Sequence, residues 1–294
     1  MESEGIVRTP DEILDAAYDE HHPSTVIACF SGGYDSMTST HIGLQWAKRR
    51  DVKLLTIAVD TRIAADGWRK FVTSAAAQLG CDDFQIWMNP DIETWEKDVK
   101  ENGFIWDRSQ HKFYFYFLKQ RAFRQLVQAN KRSRKDRVMF INGVRRAESD
   151  LRANTPEYER IGAGVYVNPI VYWSNEEVAT YRADHDFPIN PFYERTGNSG
   201  DCLCNWHRHI TLDQLHTYAK DAANVIDPLD AYNREHFGYG YGEMPTKGMR
   251  QEAAGQLRLF EWDTECTPNL CAGCNKPEPK NEALDFVSFQ RIDW

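Results

Sequence analysis

The stretch Thr25-Val26-Ile27-Ala28-Cys29-Phe30-Ser31-Gly32-Gly33-Tyr34-Asp35-Ser36 constrains this chain more than any other. An apolar run of strand length meets two glycines and opens into a helical pattern, so the backbone turns sharply there. The first free N–H groups of the helix then face outward, where the helix dipole and the missing Cβ atoms favour an anion. Ser31 and Ser36 add hydroxyl donors. Asp35 is the unusual member, because a carboxylate among phosphate-binding groups repels its ligand unless a divalent cation lies between them. The pattern therefore predicts magnesium-bound nucleotide, with Ser31, Gly32, Gly33, Tyr34, Asp35 and Ser36 as its cradle. No Gly-Lys-Ser/Thr follows a glycine at the interval a Walker-type phosphate loop requires.

Strand and helix patterns alternate after this turn. Ser36 to Arg50 has helical spacing, Lys53 to Val59 is a second apolar strand ending at Asp60-Thr61, Gly67 to Leu79 reads as a helix and Phe84 to Trp87 as a short strand. Such alternation implies crossover connections, hence an α/β fold with a mostly parallel, doubly wound sheet. Ligands of these sheets bind beyond the carboxyl ends of the strands, which puts Asp60 and Thr61 on the rim that carries Ser31 to Ser36. Residues 91 to 130 read as aromatic-rich helices, and Val138 to Ile141 as another strand.

Length and composition set limits. At 294 residues with 41% hydrophobic content, the chain can hold one large α/β domain and a smaller appendage. Three regions are expected: an N-terminal segment 1–23, a nucleotide-binding domain 24–195 and a cysteine-rich region 196–294. No apolar run reaches the length of a membrane span, and Met1-Glu2-Ser3-Glu4 is acidic where a signal peptide is basic, so a cytoplasmic protein is expected. With a formal charge of −9, nucleic acid must be met by a local patch; the candidate is Lys119, Arg121, Arg124, Lys131, Arg132, Arg134, Lys135 and Arg137. Seven cysteines favour thiol, metal or cluster chemistry over disulfides.

The Ser-Gly-Gly-x-Asp-Ser string resembles the loop of the PP-loop ATP pyrophosphatases, which split ATP into AMP and pyrophosphate. Gly143, Arg145, Glu148, Ser149 and Arg152 match the GxRxxESxxR signature of the phosphoadenosine-phosphosulfate (PAPS) reductase family. Arginine forks at this place suit phosphate or sulfate oxygens. Asn168-Pro169-Ile170 with Trp173 to Val178, then Phe187 to Tyr193, resemble two further segments of that family. Ser174 and Glu177 also form a capping box that opens a helix running to about His185.

Gly200-Asp201-Cys202-Leu203-Cys204 falls where family members carry Gly-Cys-x-x-Cys, and Cys271-Ala272-Gly273-Cys274 supplies a second pair. Cys202, Cys204, Cys271 and Cys274, with Cys266 as a possible substitute, are the candidate ligands of one centre. A [4Fe-4S] cluster and Zn²⁺ both fit, the resemblance favouring the cluster. The chain departs from the PAPS reductases proper in two places. Glu265-Cys266 continues Thr267-Pro268 where they carry Glu-Cys-Gly-Leu-His, and it keeps the full loop that they lack.

The expected chemistry places ATP on the loop, with magnesium bridging Asp35 and the phosphates. Asp35, Ser36, Arg145 and Arg152 are the catalytic candidates. An acceptor oxygen attacks the α-phosphorus and pyrophosphate leaves; sulfur then displaces AMP. The resemblance extends to the DNA phosphorothioation proteins of the Dnd and Ssp systems, implying a DNA acceptor and a cysteine desulfurase partner. Two alternatives stand beside this: a reductase or sulfurtransferase acting on a small adenylyl sulfate, and a nucleotide-dependent DNA-binding subunit without catalysis. Residues 211 to 226 read as one amphipathic helix and His236 to Gly242 as a flexible loop.

Overall fold

The computed structural model describes residues 7–89, 91–106, 108–131, 133, 135–207, 209–246, 249 and 290–292. Helix α1 (Pro10–His21) begins at a Thr9–Glu12 capping box with proline in its first turn. It buries Ile13, Leu14 and Ala17. Strand β1 (Thr25–Cys29) leads through the glycine turn into α2 (Tyr34–Arg50), followed by β2 (Leu54–Asp60), α3 (Trp68–Gln78) and β3 (Phe84–Met88). Three helices come next, α4 (Ile92–Asn102), α5 (Arg108–Phe115) and α6 (Arg121–Asn130), with a π-helical turn at Tyr116–Gln120 joining the last two.

Strand β4 (Val138–Ile141) precedes a hairpin of β5 (Tyr158–Ile161) and β6 (Gly164–Val167) that the sequence reading did not anticipate. Helices α7 (Asn175–Asp184), α8 (Pro191–Thr196), α9 (Leu212–Tyr218) and α10 (Lys220–Phe237) follow, and β7 (Gln290–Ile292) is the last described element. The Ser174–Glu177 capping box opens α7 as expected. The helix expected over 211–226 is two helices that meet at Ala219.

Among the described residues the sheet has seven strands in the order β5-β6-β4-β1-β2-β3-β7. Neighbours from β6 to β3 run parallel, and the two edge strands β5 and β7 pair antiparallel. Alternate residues feed opposite faces. Val26, Ala28, Met139, Ile141, Val165 and Val167 pack on α1, α2 and α7, whereas Ile27, Ile57, Val59, Val138 and Phe140 pack on Ala122 and Leu126 of α6. Strands apolar on both faces are what a covered parallel sheet requires. No helix of the described residues is long and apolar enough to cross a membrane.

The segment after α10 corrects the expected flexible loop. Tyr239 and Tyr241 are buried, donating their hydroxyls to Phe104 O (2.9 Å) and Leu203 O (3.1 Å). The flanking glycines Gly238 and Gly242, at φ +73° and +80°, let the chain turn while both rings reach the core.

Strand β1 has β2 on one side and β4 on the other, so the connections leave it in opposite directions. The crevice opened by that reversal lies at the carboxyl ends of β1 and β4, where open α/β sheets bind ligands.

Candidate active site

Two loops meet in this crevice, Phe30 to Gly33 from β1 and Asn142 to Arg145 from β4. Gly32 has φ +82° and would drive a Cβ to 2.9 Å from Val72 Cγ1, so both backbone conformation and space require glycine. The carbonyls of the loop turn inward: Trp68 Nε1 donates to Ser31 O (2.8 Å) and Asn190 Nδ2 to Gly32 O (2.9 Å). Ser31 and Ser36 brace the turn through their hydroxyls, Ser31 Oγ to Ser36 Oγ at 3.0 Å and Ser36 Oγ to Gly33 O at 2.8 Å. Gly33, the residue just before α2, gives the helix no side-chain cap. Its first-turn N–H groups are thereby left for a ligand, and the dipole makes that ligand an anion.

Gly143 explains how the loops come so close. A Cβ on it would lie 2.5 Å from Asp35 C and 2.7 Å from Ser36 N, so the end of β4 packs directly on the backbone of the first turn of α2. Arg145, two residues on, is buried and grips Asp35 with both edges of its fork, Nε to Oδ1 at 2.9 Å and Nη2 to Oδ2 at 3.0 Å. Asn175 Oδ1 (3.0 Å) and Trp173 O (3.2 Å) hold the other guanidinium protons. Glu148 accepts from Arg145 N (2.8 Å) and pairs with Arg152, while Ser149 stands exposed at the outer edge. Arg145 thus sets a positive charge against the one carboxylate of the loop.

Asp60 and Thr61 play another part. Asp60 is 1% exposed, accepts from Arg62 N (2.7 Å) and pairs with Arg69. Thr61 Oγ1 donates to Asp201 O (2.8 Å). Both are buried, and Thr61 fixes the segment that follows α8. In that segment Ser199 Oγ donates to Asp201 Oδ1 (2.6 Å), and Lys119 pairs with the same carboxylate. Burial opposes the Lys119 charge, yet Asp201 and the neighbouring thiols hold its pKa above the ordinary lysine value. Asp201 is correspondingly held below the usual carboxylate range, Lys119 outweighing its burial.

Cys202 and Cys204 follow at once. The Cys202 thiol donates toward Cys204 and lowers its pKa well below the ordinary thiol value against the effect of burial, with His111 facing the same sulfur; Cys202 is raised. His111 stacks on Trp206 with ring centroids 4.2 Å apart. Two thiols this close, Cys202 half-buried and Cys204 buried, suit a soft metal centre. Cys271, Cys274 and Cys266 lie outside the described residues, and among the described residues no group of three or more His, Cys, Asp or Glu side chains converges on one point. Cys29, half-buried, and Cys81, buried, are ordinary thiols, pushed up to about 12 and about 11 by desolvation.

Among the described residues the basic run is divided between interior and surface. Lys119 is spent on Asp201, and buried Arg121 lies 3.5 Å from Asp91. Arg124 is exposed and stacks over Tyr116 (4.8 Å), Lys135 is exposed, Lys131 and Arg137 are half-buried, and Arg132 and Arg134 lie outside the described residues. The aromatic cluster divides likewise, with Tyr114 buried and Phe113 and Phe115 exposed.

Residues 25–218 match the phosphoadenosine phosphosulfate reductase domain. The chain belongs to that family. Curated relatives of this PAPS reductase family member include adenosine 5'-phosphosulfate reductases from Salinibacter ruber, 29% identical over 53% of this chain and 55% of that protein, and from Staphylococcus haemolyticus, 26% identical over 65% and 74%. One from Deinococcus radiodurans is 40% identical over 18% of this chain and 21% of its own length. The chain thus spans about a fifth to three quarters of the lengths of these relatives. A solved PAPS reductase from Candida auris in complex with phosphate aligns over 65% of this chain and 86% of that one, at 18% identity and a TM-score of 0.44.

Asn190, Trp68, Lys119 and Asp201 escaped the sequence reading as site residues. Asn190 had a visible signal, the Asn-Pro turn at the head of α8; the others are recognisable only once distant segments are brought together.

Proposed function

We infer that this member of the PAPS reductase family binds an adenine nucleotide with its α-phosphate on the Ser31–Ser36 loop and acts as a reductase or sulfurtransferase on an adenylyl sulfate. The Arg145–Asp35 pair carries this reading. Because Arg145 already neutralises the carboxylate, the crevice accepts an anion of modest charge with no divalent cation between them. The names of the curated relatives support the same substrate class.

In the proposed reaction a thiolate attacks the sulfur of the adenylyl sulfate, the S–O bond to the α-phosphate breaks, and AMP leaves with the electron pair. A second thiol attacks the resulting thiosulfonate, releasing sulfite and forming a disulfide, so two thiols supply the two electrons. The loop N–H groups and Arg152 stabilise the phosphate of the leaving AMP. A resident cluster or zinc would be held by Cys202, Cys204 and further thiols, and would tie the segment after α8 to those thiols as a structural clip.

A second reading has its own support. The loop keeps the complete Ser-Gly-Gly-x-Asp-Ser string, which suits an ATP pyrophosphatase that adenylylates an acceptor, the DNA backbone in phosphorothioate modification, with a cysteine desulfurase as sulfur donor. Asp35 would then hold magnesium, which would neutralise charge on the phosphates.

Full-length protein incubated with adenylyl sulfate and a dithiol reductant decides between them. Equimolar sulfite and AMP, abolished in Ser36→Ala, is the expected result. Pyrophosphate from ATP with magnesium and DNA, without sulfite from adenylyl sulfate, selects the second reading.

A further inference from the structure

Tyr34 fills the variable position of the Ser-Gly-Gly-x-Asp-Ser string, and phosphate binding by backbone N–H groups does not by itself call for a tyrosine there. The structure gives the ring a definite task. Tyr34 is the first residue of α2 and only 9% exposed although it stands beside the crevice. The Arg182 guanidinium of α7 lies over its face, 3.0 Å from the centroid, and the Tyr193 ring of α8 packs at 4.2 Å. Its hydroxyl donates to Glu194. Arg182 Nε is buried without a hydrogen-bond partner among the described residues, which costs stability. That cost is retained where the cation can cover the ring and face the hydroxyl that Glu194 holds.

Helix α8 grips the loop on both sides of Gly33. Asn190, at the head of α8, holds Gly32 O, and Tyr193 and Glu194, one turn later, hold the residue after Gly33. Fixing the Tyr34 side chain fixes where the first N–H groups of α2 point. Charge enters as well: Glu194 alone would place a negative group beside an anion site, and Arg182 cancels it across the tyrosine hydroxyl.

We propose that Tyr34 is a positioning residue for the nucleotide phosphate, and that Arg182 and Glu194 set the anion affinity of the loop without touching the ligand. This rests on the reading that the loop binds an adenine nucleotide. Glu194→Gln keeps the hydrogen-bond acceptor and removes the charge, which separates positioning from electrostatics.

The test is AMP binding to the full chain by calorimetry at low and moderate salt. Tyr34→Phe weakens AMP about fivefold, the worth of one hydrogen bond. Arg182→Met weakens it about tenfold at low salt and less at moderate salt, because the exposed Glu194 charge is then screened. Glu194→Gln in the Arg182→Met background restores affinity to within about threefold of wild type, a rescue that a packing role would not give. Wild-type affinity in both Tyr34→Phe and Arg182→Met overturns the proposal, as does an Arg182→Met defect that neither salt nor Glu194→Gln relieves. Should Arg182→Met fail to fold, Tyr34→Phe and Arg182→Lys decide by the same affinities. Failure of the underlying reading looks different: wild-type protein does not bind AMP, or Ser36→Ala binds it unchanged.

Discussion

Arg145 holds Asp35 through two parallel N–H···O contacts of 2.9 and 3.0 Å, from the end of β4 to the first turn of α2. The pair ties together the two strand ends that bound the crevice and neutralises the one carboxylate of the phosphate loop. Its fork geometry makes lysine a poor substitute.

Removing one partner leaves the other charge stranded. Arg145→Met is expected to lower stability by about 2 kcal/mol, less than for a fully buried pair because Asp35 reaches solvent. It should also weaken AMP about tenfold, since an unpaired carboxylate then faces the anion. Asp35→Asn in the same background recovers most of the stability in urea unfolding; equal losses in single and double variants would show the pair to be uncoupled.

Gly143→Ala tests the backbone contact. The new methyl would meet Asp35 C and O at 2.5 and 2.6 Å, atoms that cannot rotate away. A destabilisation of about 1–3 kcal/mol with loss of AMP binding is expected. Unchanged melting and affinity would mean that the strand end and the helix do not pack as described.

Lys119→Met leaves Asp201 buried beside two thiols. A loss of about 3 kcal/mol is expected, read by chemical unfolding of reduced protein. Lys119→Met with Asp201→Asn should be the milder variant. If the single and double variants melt alike, the pair is not coupled.

Helix α2 and the end of α7 meet at His41, whose Nδ1 lies 2.9 Å from Tyr181 Oη and whose ring is 4.9 Å from that of His185. Burial first, then the neighbouring His185, lowers the His41 pKa below its ordinary 6.5. The unfolded chain therefore takes up a proton that the folded chain refuses. Stability falls as pH drops through the unfolded value near 6.5, and the loss is complete once pH passes the lower folded value. Asp11 and Arg49 lie on the same side and belong to the Tyr181 environment. His41→Asn should flatten urea stability between roughly pH 5 and 7; an unchanged slope assigns it to other groups.

Local pattern made the central strands and their helices legible. Val26 to Cys29, Leu54 to Asp60 and Val138 to Ile141 are short apolar runs closed by glycine or aspartate, and Ser174–Glu177 announces its helix. The β5–β6 hairpin was hidden because Tyr158 to Ile161 is an exposed edge strand, intermediate at Tyr158 and exposed thereafter, with no apolar face to betray it. At the site, Asp35 and Arg145 were each named as functional, but their pairing was invisible, since 110 residues separate them and only the β1–β4 neighbourhood joins them. Asp60 was read as a ligand-facing rim residue for lack of any local sign that Arg62 and Arg69 would enclose it. Lys119, counted as surface charge, is an internal group because its partner Asp201 lies far along the chain.

The central claim is that the uncapped start of α2 holds a nucleotide phosphate. A crystal structure of the full chain with AMP tests it most directly. The phosphate is expected within hydrogen-bond distance of the backbone N–H groups from Tyr34 to Ser36, with Arg145 still closed on Asp35. A phosphate bound elsewhere while that turn stays empty would contradict it.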